Sequence, residues 1–124
     1  MNDLNIKELI IDKYSHEGDN TIKSVGAENV LFVGGSAFKN CTNLTDVYFG
    51  YDITRISHGA FENCKSLKDV WFAIIDEDKI VEIAEDAFID CEQEITFHIF
   101  GTAIKNKYLN SYARRHHFRV VGMM

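Results

Sequence analysis

The sequence predicts an α/β-type solenoid: a short array of stacked coils closed at its C-terminal end by a helix. Three observations predict it. The phrase Ala-Phe-x-x-Cys occurs three times, at Ala37–Cys41, Ala60–Cys64 and Ala87–Cys91. Its cysteines are 23 and then 27 residues apart, inside the period of roughly 20–50 residues that marks repeat arrays. After the third copy, the apolar spacing becomes helical. A unit of this kind cannot bury its apolar side alone, so adjacent coils must stack into a continuous core.

Each copy carries further matching positions. An Ile/Val-x-x-Ile/Val pair precedes it, at Val30/Val33, Ile53/Ile56 and Ile80/Ile83. Leu-x-x-Val-x-Phe follows the first two cysteines, as Leu44/Val47/Phe49 and Leu67/Val70/Phe72. Behind Cys91 the phrase decays, with Glu94 in the leucine place and Ile95 beside it, while Phe97 and Ile99 keep the last two apolar places. At the N-terminus, Ile6-x-x-Leu9-x-Ile11 overlays the same phrase and predicts a first strand over residues 6–11. The stretch Asp12–Asn20 holds Ser15, Gly18, Asp19 and Asn20 and reads as an exposed loop. Thr21–Val25 and Val30–Val33 form a candidate extra strand pair whose register the sequence leaves open. Beyond Gly101, with Thr102 as N-cap, Ile104, Tyr108, Leu109, Tyr112 and Ala113 predict a helix over 103–116. Phe118–Val121 follows as a last strand.

This pattern resembles the BspA-like, Treponema-type leucine-rich repeat family. The residues that carry the resemblance are the Ile-x-x-Ile pair, the Ala-Phe-x-x-Cys turn and the Leu-x-x-Val-x-Phe strand, over about residues 30–100. The resemblance implies parallel strands on one wall of a curved solenoid, here near 6–11, 44–49, 67–72, 95–100 and 118–121. It also implies a protein that binds rather than catalyses. Better-known members are secreted or surface adhesins, an alternative role for this chain if it is exported by other means.

The chain has 124 residues and reads as one leucine-rich-repeat domain. Residues 1–29 form an irregular N-terminal part with the first strand, 30–100 the repeats, and 101–124 the helical cap and last strand. No apolar run approaches the roughly 20 residues that span a bilayer. The N-terminus lacks a basic and then apolar leader, so the expectation is a soluble, cytoplasmic protein, monomeric or weakly oligomeric. Three cysteines at one repeat position predict a buried, reduced column rather than a disulfide framework. Charge is divided: eight cations and 19 acids precede His98, a balance of −11, while residues 98–124 hold five cations and no acid.

Strand alternation points to a binding face. With Val47 and Phe49 inward, Tyr48 points out, and Trp71 and His98 repeat that place. Ile10 and Arg119 fill it in the first and last strands. Glu8, Asp46, Asp69 and Thr96 lie two residues earlier and also outward. The expected partner-binding set is Glu8, Asp46, Tyr48, Asp69, Trp71, His98 and Arg119, on the concave sheet face. Exposed aromatics at such places are typical interface anchors, although cross-strand packing alone also uses them.

Catalytic signatures are missing: there is no phosphate-cradling loop, nucleophile elbow or His-x-x-x-His. Gly34-Gly35-Ser36 suits a solenoid corner, and Asp76-Glu77-Asp78 lacks the spaced oxygens of a calcium loop. The expectation is a non-enzymatic protein with no cofactor and no metal, binding a protein partner. An acidic surface argues against direct nucleic-acid binding. It also admits an alternative, a small acidic inhibitor that occupies the basic groove of a nucleic-acid-handling enzyme.

Overall fold

A computed structural model describes residues 3–123. The described residues wind as a parallel solenoid of about five turns with a single α-helix towards the C-terminal end. The first coil carries strands β1 (Asp3–Asn5) and β2 (Ile10–Ile11), and the second β3 (Ser24–Ala27) and β4 (Phe32–Val33). The third carries β5 (Asp46–Phe49) and β6 (Arg55–Ile56), the fourth β7 (Asp69–Phe72) and β8 (Glu82–Ile83). The chain ends in β9 (Thr96–Phe100), helix α1 (Lys107–Arg115) and β10 (Arg119–Met123). A six-stranded sheet runs β1-β3-β5-β7-β9-β10, and a four-stranded sheet runs β2-β4-β6-β8. Every pairing in both is parallel.

Alternation along the strands builds the core. Val47, Phe49, Val70, Phe72, Phe97 and Ile99 are buried, with Leu44, Leu67 and Ile95 just ahead of them. The Ala-Phe-x-x-Cys segments form the turns between the walls. Phe38, Phe61 and Phe88 stack with centroids 5.3 Å apart at each step. The residue before each cysteine, Asn40, Asn63 or Asp90, has positive φ, a conformation that Asn and Asp tolerate better than other side chains. The local turn therefore selects the residue type. Each thiol donates to a carbonyl of the preceding coil: Cys41 to His16 O at 3.1 Å, Cys64 to Phe38 O at 3.1 Å, Cys91 to Phe61 O at 3.3 Å. All three cysteines are free, with Cys41 and Cys64 buried and Cys91 half-buried.

The N-terminal coil differs from the sequence expectation. Residues 6–11 are not one strand: β1 precedes them in the larger sheet, and Ile10–Ile11 pairs with Phe32–Val33 in the smaller. The true copy of the strand phrase is Ile22-x-x-Val25-x-Ala27, because Val25 and Ala27 register with Val47 and Phe49. Asp12–Asn20 is a degenerate turn rather than a loop outside the repeat. His16 stacks on Phe38 at 5.2 Å, and Gly18 repeats the positive φ. Gly34 belongs to the corner above it, where a Cβ would lie 2.4 Å from Lys13 N.

Two further expectations shift. Ile80 is 55% exposed and Val81 and Ile74 are buried instead, because the longer fourth coil re-phases its apolar places. Thr102 lies in a 3₁₀ turn (Gly101–Ala103), and Asn106 is the N-cap of α1, accepting from Tyr108 N and Leu109 N, each at 3.1 Å. The helix covers the C-terminal end of the core with Leu109, Tyr112 and Ala113. Tyr112 anchors it by donating to Ala84 O at 2.9 Å.

Candidate functional site

The outer face of the six-stranded sheet presents two registered rows. One runs Asn5, Gly26, Tyr48, Trp71, His98, Val121, and the other Asp3, Ser24, Asp46, Asp69, Thr96, Arg119. Both follow from the pleat: residues flanking the buried Val47 and Phe49 must face outward. Five of the seven expected residues, Asp46, Tyr48, Asp69, Trp71 and His98, share three adjacent strands.

Within that patch the side chains are ordered. Trp71 and His98 stack at 4.4 Å with an interplanar angle of 12°. His98 Nε2 lies 2.8 Å from Asp69 Oδ1, which fixes the imidazole edge against the second row. Thr45 donates to Asp46 Oδ1 at 2.8 Å. Tyr48 is 39% exposed, and its neighbour Gly26 has no side chain to cover it. A hollow of about 290 Å³ opens there, lined by Tyr48, Gly26, Asn5 and Glu28. Asp46 and Asp69 stand directly opposite each other across β5 and β7, an arrangement of like charges that weakens a sheet.

Two expected residues move. Glu8 sits on the bend between β1 and β2, outside the larger sheet, and Asp3 takes its place in the acidic row. Ile10 belongs to the smaller sheet. Arg119 pairs with Thr96, not His98, so it closes the acidic row with a cation, and Val121 ends the aromatic row. The cause is a two-residue offset of the last strand in its pairing with β9. Ser24 and Gly26 were missed because Ala27 stands where β5 and β7 carry Phe49 and Phe72, with Ile22 and Val25 the available signal; Asp3 and Asn5 were missed because Ile6-x-x-Leu9-x-Ile11 imitates the strand phrase just after them.

A second concavity of about 920 Å³ lies between β8 and α1, lined in part by Val81, Ile83, Lys107, Tyr108 and Arg114. Sequence periodicity placed these residues on separate elements and could not bring them together. Around its far end, Glu85 accepts from Arg115 and faces His116 Nε2, both at 2.8 Å. These hydrogen bonds, His116 first, hold the Glu85 carboxyl below its ordinary range. Burial pushes the Tyr112 hydroxyl well above the usual phenol range.

A family profile described as "BspA type Leucine rich repeat region" matches in six copies over residues 3–116. No curated protein matches the chain. Among solved structures, the chain is similar to the pneumococcal vaccine antigen PcpA, with 12% identity and a TM-score of 0.57. That match covers 93% of this chain and 28% of the other, so the present chain spans just over a quarter of the antigen's length. At that identity the likeness speaks for the fold.

Proposed function

The chain belongs to the BspA-type leucine-rich repeat family, and from that membership we propose a non-enzymatic interaction module that binds a protein partner across its six-stranded sheet. Membership supports protein interaction in general. The choice of face rests on one observation: Tyr48, Trp71 and His98 stand in one registered row on a solvated face. Tyrosine and tryptophan offer a wide contact area for little conformational entropy. The paired Asp46 and Asp69 favour cationic groups on the partner, which would relieve their mutual repulsion. Arg119 and Val121 extend the contact surface at its far edge.

The test compares the parent chain with Trp71→Ala in capture from the native lysate, followed by titration of the captured protein. Loss of more than about 2 kcal/mol of binding, with an unchanged melting temperature, is the expected result for a central anchor. A partner that both proteins retain equally places the functional surface elsewhere.

A further inference from the structure

The two walls of the solenoid end differently. In the larger sheet β9 is followed by β10, but in the smaller sheet, among the described residues, β8 has a partner only on its β6 side. Where a further strand would lie, the chain instead runs through α1, leaving the 920 Å³ groove between α1 and β8. The earlier coils define what that edge can bind. Arg55 N and Ser57 N donate to Leu31 O and Val33 O, and Glu82 N and Ala84 N donate to Thr54 O and Ile56 O. By the same register, Val81 O and Ile83 O are the next acceptors. Among the described residues neither accepts a backbone hydrogen bond. The opposite wall of the groove is cationic. Lys105, Lys107 and Arg114 line it and form no ion pair among the described residues, and Tyr108 lies between them with Lys107 Nζ 5.4 Å from its ring centroid.

We propose that this groove is a second binding site, which takes an extended acidic peptide segment of a protein partner as a fifth strand on β8. The backbone of the segment would donate to Val81 O and Ile83 O, continuing the ladder as in other strand-addition complexes. Residues opposite Val81 and Ile83 point inward and are small and apolar; the one opposite Glu82 points out and is polar. Flanking carboxylates meet Lys105, Lys107 and Arg114. The free sheet edge is what selects a peptide over another polyanion, since phosphates have no use for a row of carbonyl acceptors. Charge complementarity selects an acidic one.

The probe is a fluorescent peptide with a Val-Thr-Val centre and two glutamates on each side, measured by anisotropy with the full chain. Saturable binding that weakens with added salt is expected, with an amide shift at Ile83. Lysine-flanked peptide, peptide N-methylated at the two donating amides, and the double variant Lys107→Glu, Arg114→Glu should each bind at least about tenfold more weakly. Trp71→Ala should bind the peptide like the parent, which separates this site from the sheet face. No binding at about 1 mM peptide, or equal binding of the N-methylated peptide, overturns strand addition. Tighter binding of a short oligothymidylate than of the peptide would make the groove a general polyanion site and overturn the proposal as well.

Discussion

Asn106 donates from Nδ2 to Lys79 O at 2.8 Å, joining the start of α1 to the loop that lengthens the fourth coil. The same amide donates to Asp76 O at 3.4 Å, while its oxygen caps the helix. One fully buried side chain therefore holds both the insertion and the cap in place. The acidic Asp76-Glu77-Asp78 segment is positioned by this contact.

Asn106→Ala should destabilise the protein by about 2–4 kcal/mol, combining loss of a cap with buried groups left unpaired. Asn106→Asp keeps the cap acceptor but turns a carboxylate towards the Lys79 carbonyl, so it should not restore the parent stability. Urea unfolding of the three proteins checks both. An Asp variant as stable as the parent would show that the donor side of Asn106 is dispensable.

Phe61 sits in the middle of the stacked column, between Phe38 and Phe88 and edge-on to Phe49 at 6.3 Å. Its replacement by alanine should cost about 3–5 kcal/mol. His16→Ala removes only the half-buried end of that column and should cost less. Thermal melts that rank the two in the opposite order would disprove the column as the main packing element.

Burial pushes the Cys41 and Cys91 thiols up to about 11 from 9.0, and that of Cys64 further still. A raised folded-state pKa means the unfolded state loses the proton first. The stabilisation from these neutral thiols is therefore full below about pH 9 and is lost as pH climbs towards 11. Unfolding free energy should fall across that window, and the fall should diminish in a chain with all three cysteines replaced by alanine. At pH 8 Cys64 should be the slowest thiol to alkylate, and Cys64→Ala should lower stability without abolishing partner binding.

Asp46→Asn together with Asp69→Asn should chiefly slow association of a sheet-face partner and reduce its salt dependence, because these carboxylates steer more than they anchor. Stopped-flow rates at two ionic strengths provide the measurement. Asp69→Asn also weakens the hold on His98, so Asp46→Asn alone isolates the charge effect. Unchanged association rates in both variants would remove the acidic row from the binding surface.

Much of this was legible in the chain because strand alternation and turn chemistry are local. The recurrence of Ala-Phe-x-x-Cys located the column of free thiols, whereas the left-handed residue before each cysteine was seen only in the structure. Period-two alternation around Val47, Phe49, Val70 and Phe72 was enough to send Tyr48, Trp71 and His98 to one face. Family membership followed from the same positions.

Register was settled only by lateral pairing. Glu8 left the acidic row because hydrogen bonding to β3 selected Asp3–Asn5 over residues 6–11, a choice the N-terminal sequence pattern did not favour. Arg119 changed rows because its strand pairs with β9 in the register that puts Arg119 opposite Thr96 and Val121 opposite His98, a partner about 20 residues away in sequence. The groove that sets the edge of β8 against the cations of α1 exists only once α1 has packed beside it. In the regular coils the sequence determined which side chains face inward, since that depends on a residue and its near neighbours; Leu9 and Ile80, outside that regularity, turned outward. The tertiary structure decided which outward side chains meet, since that depends on contacts between coils.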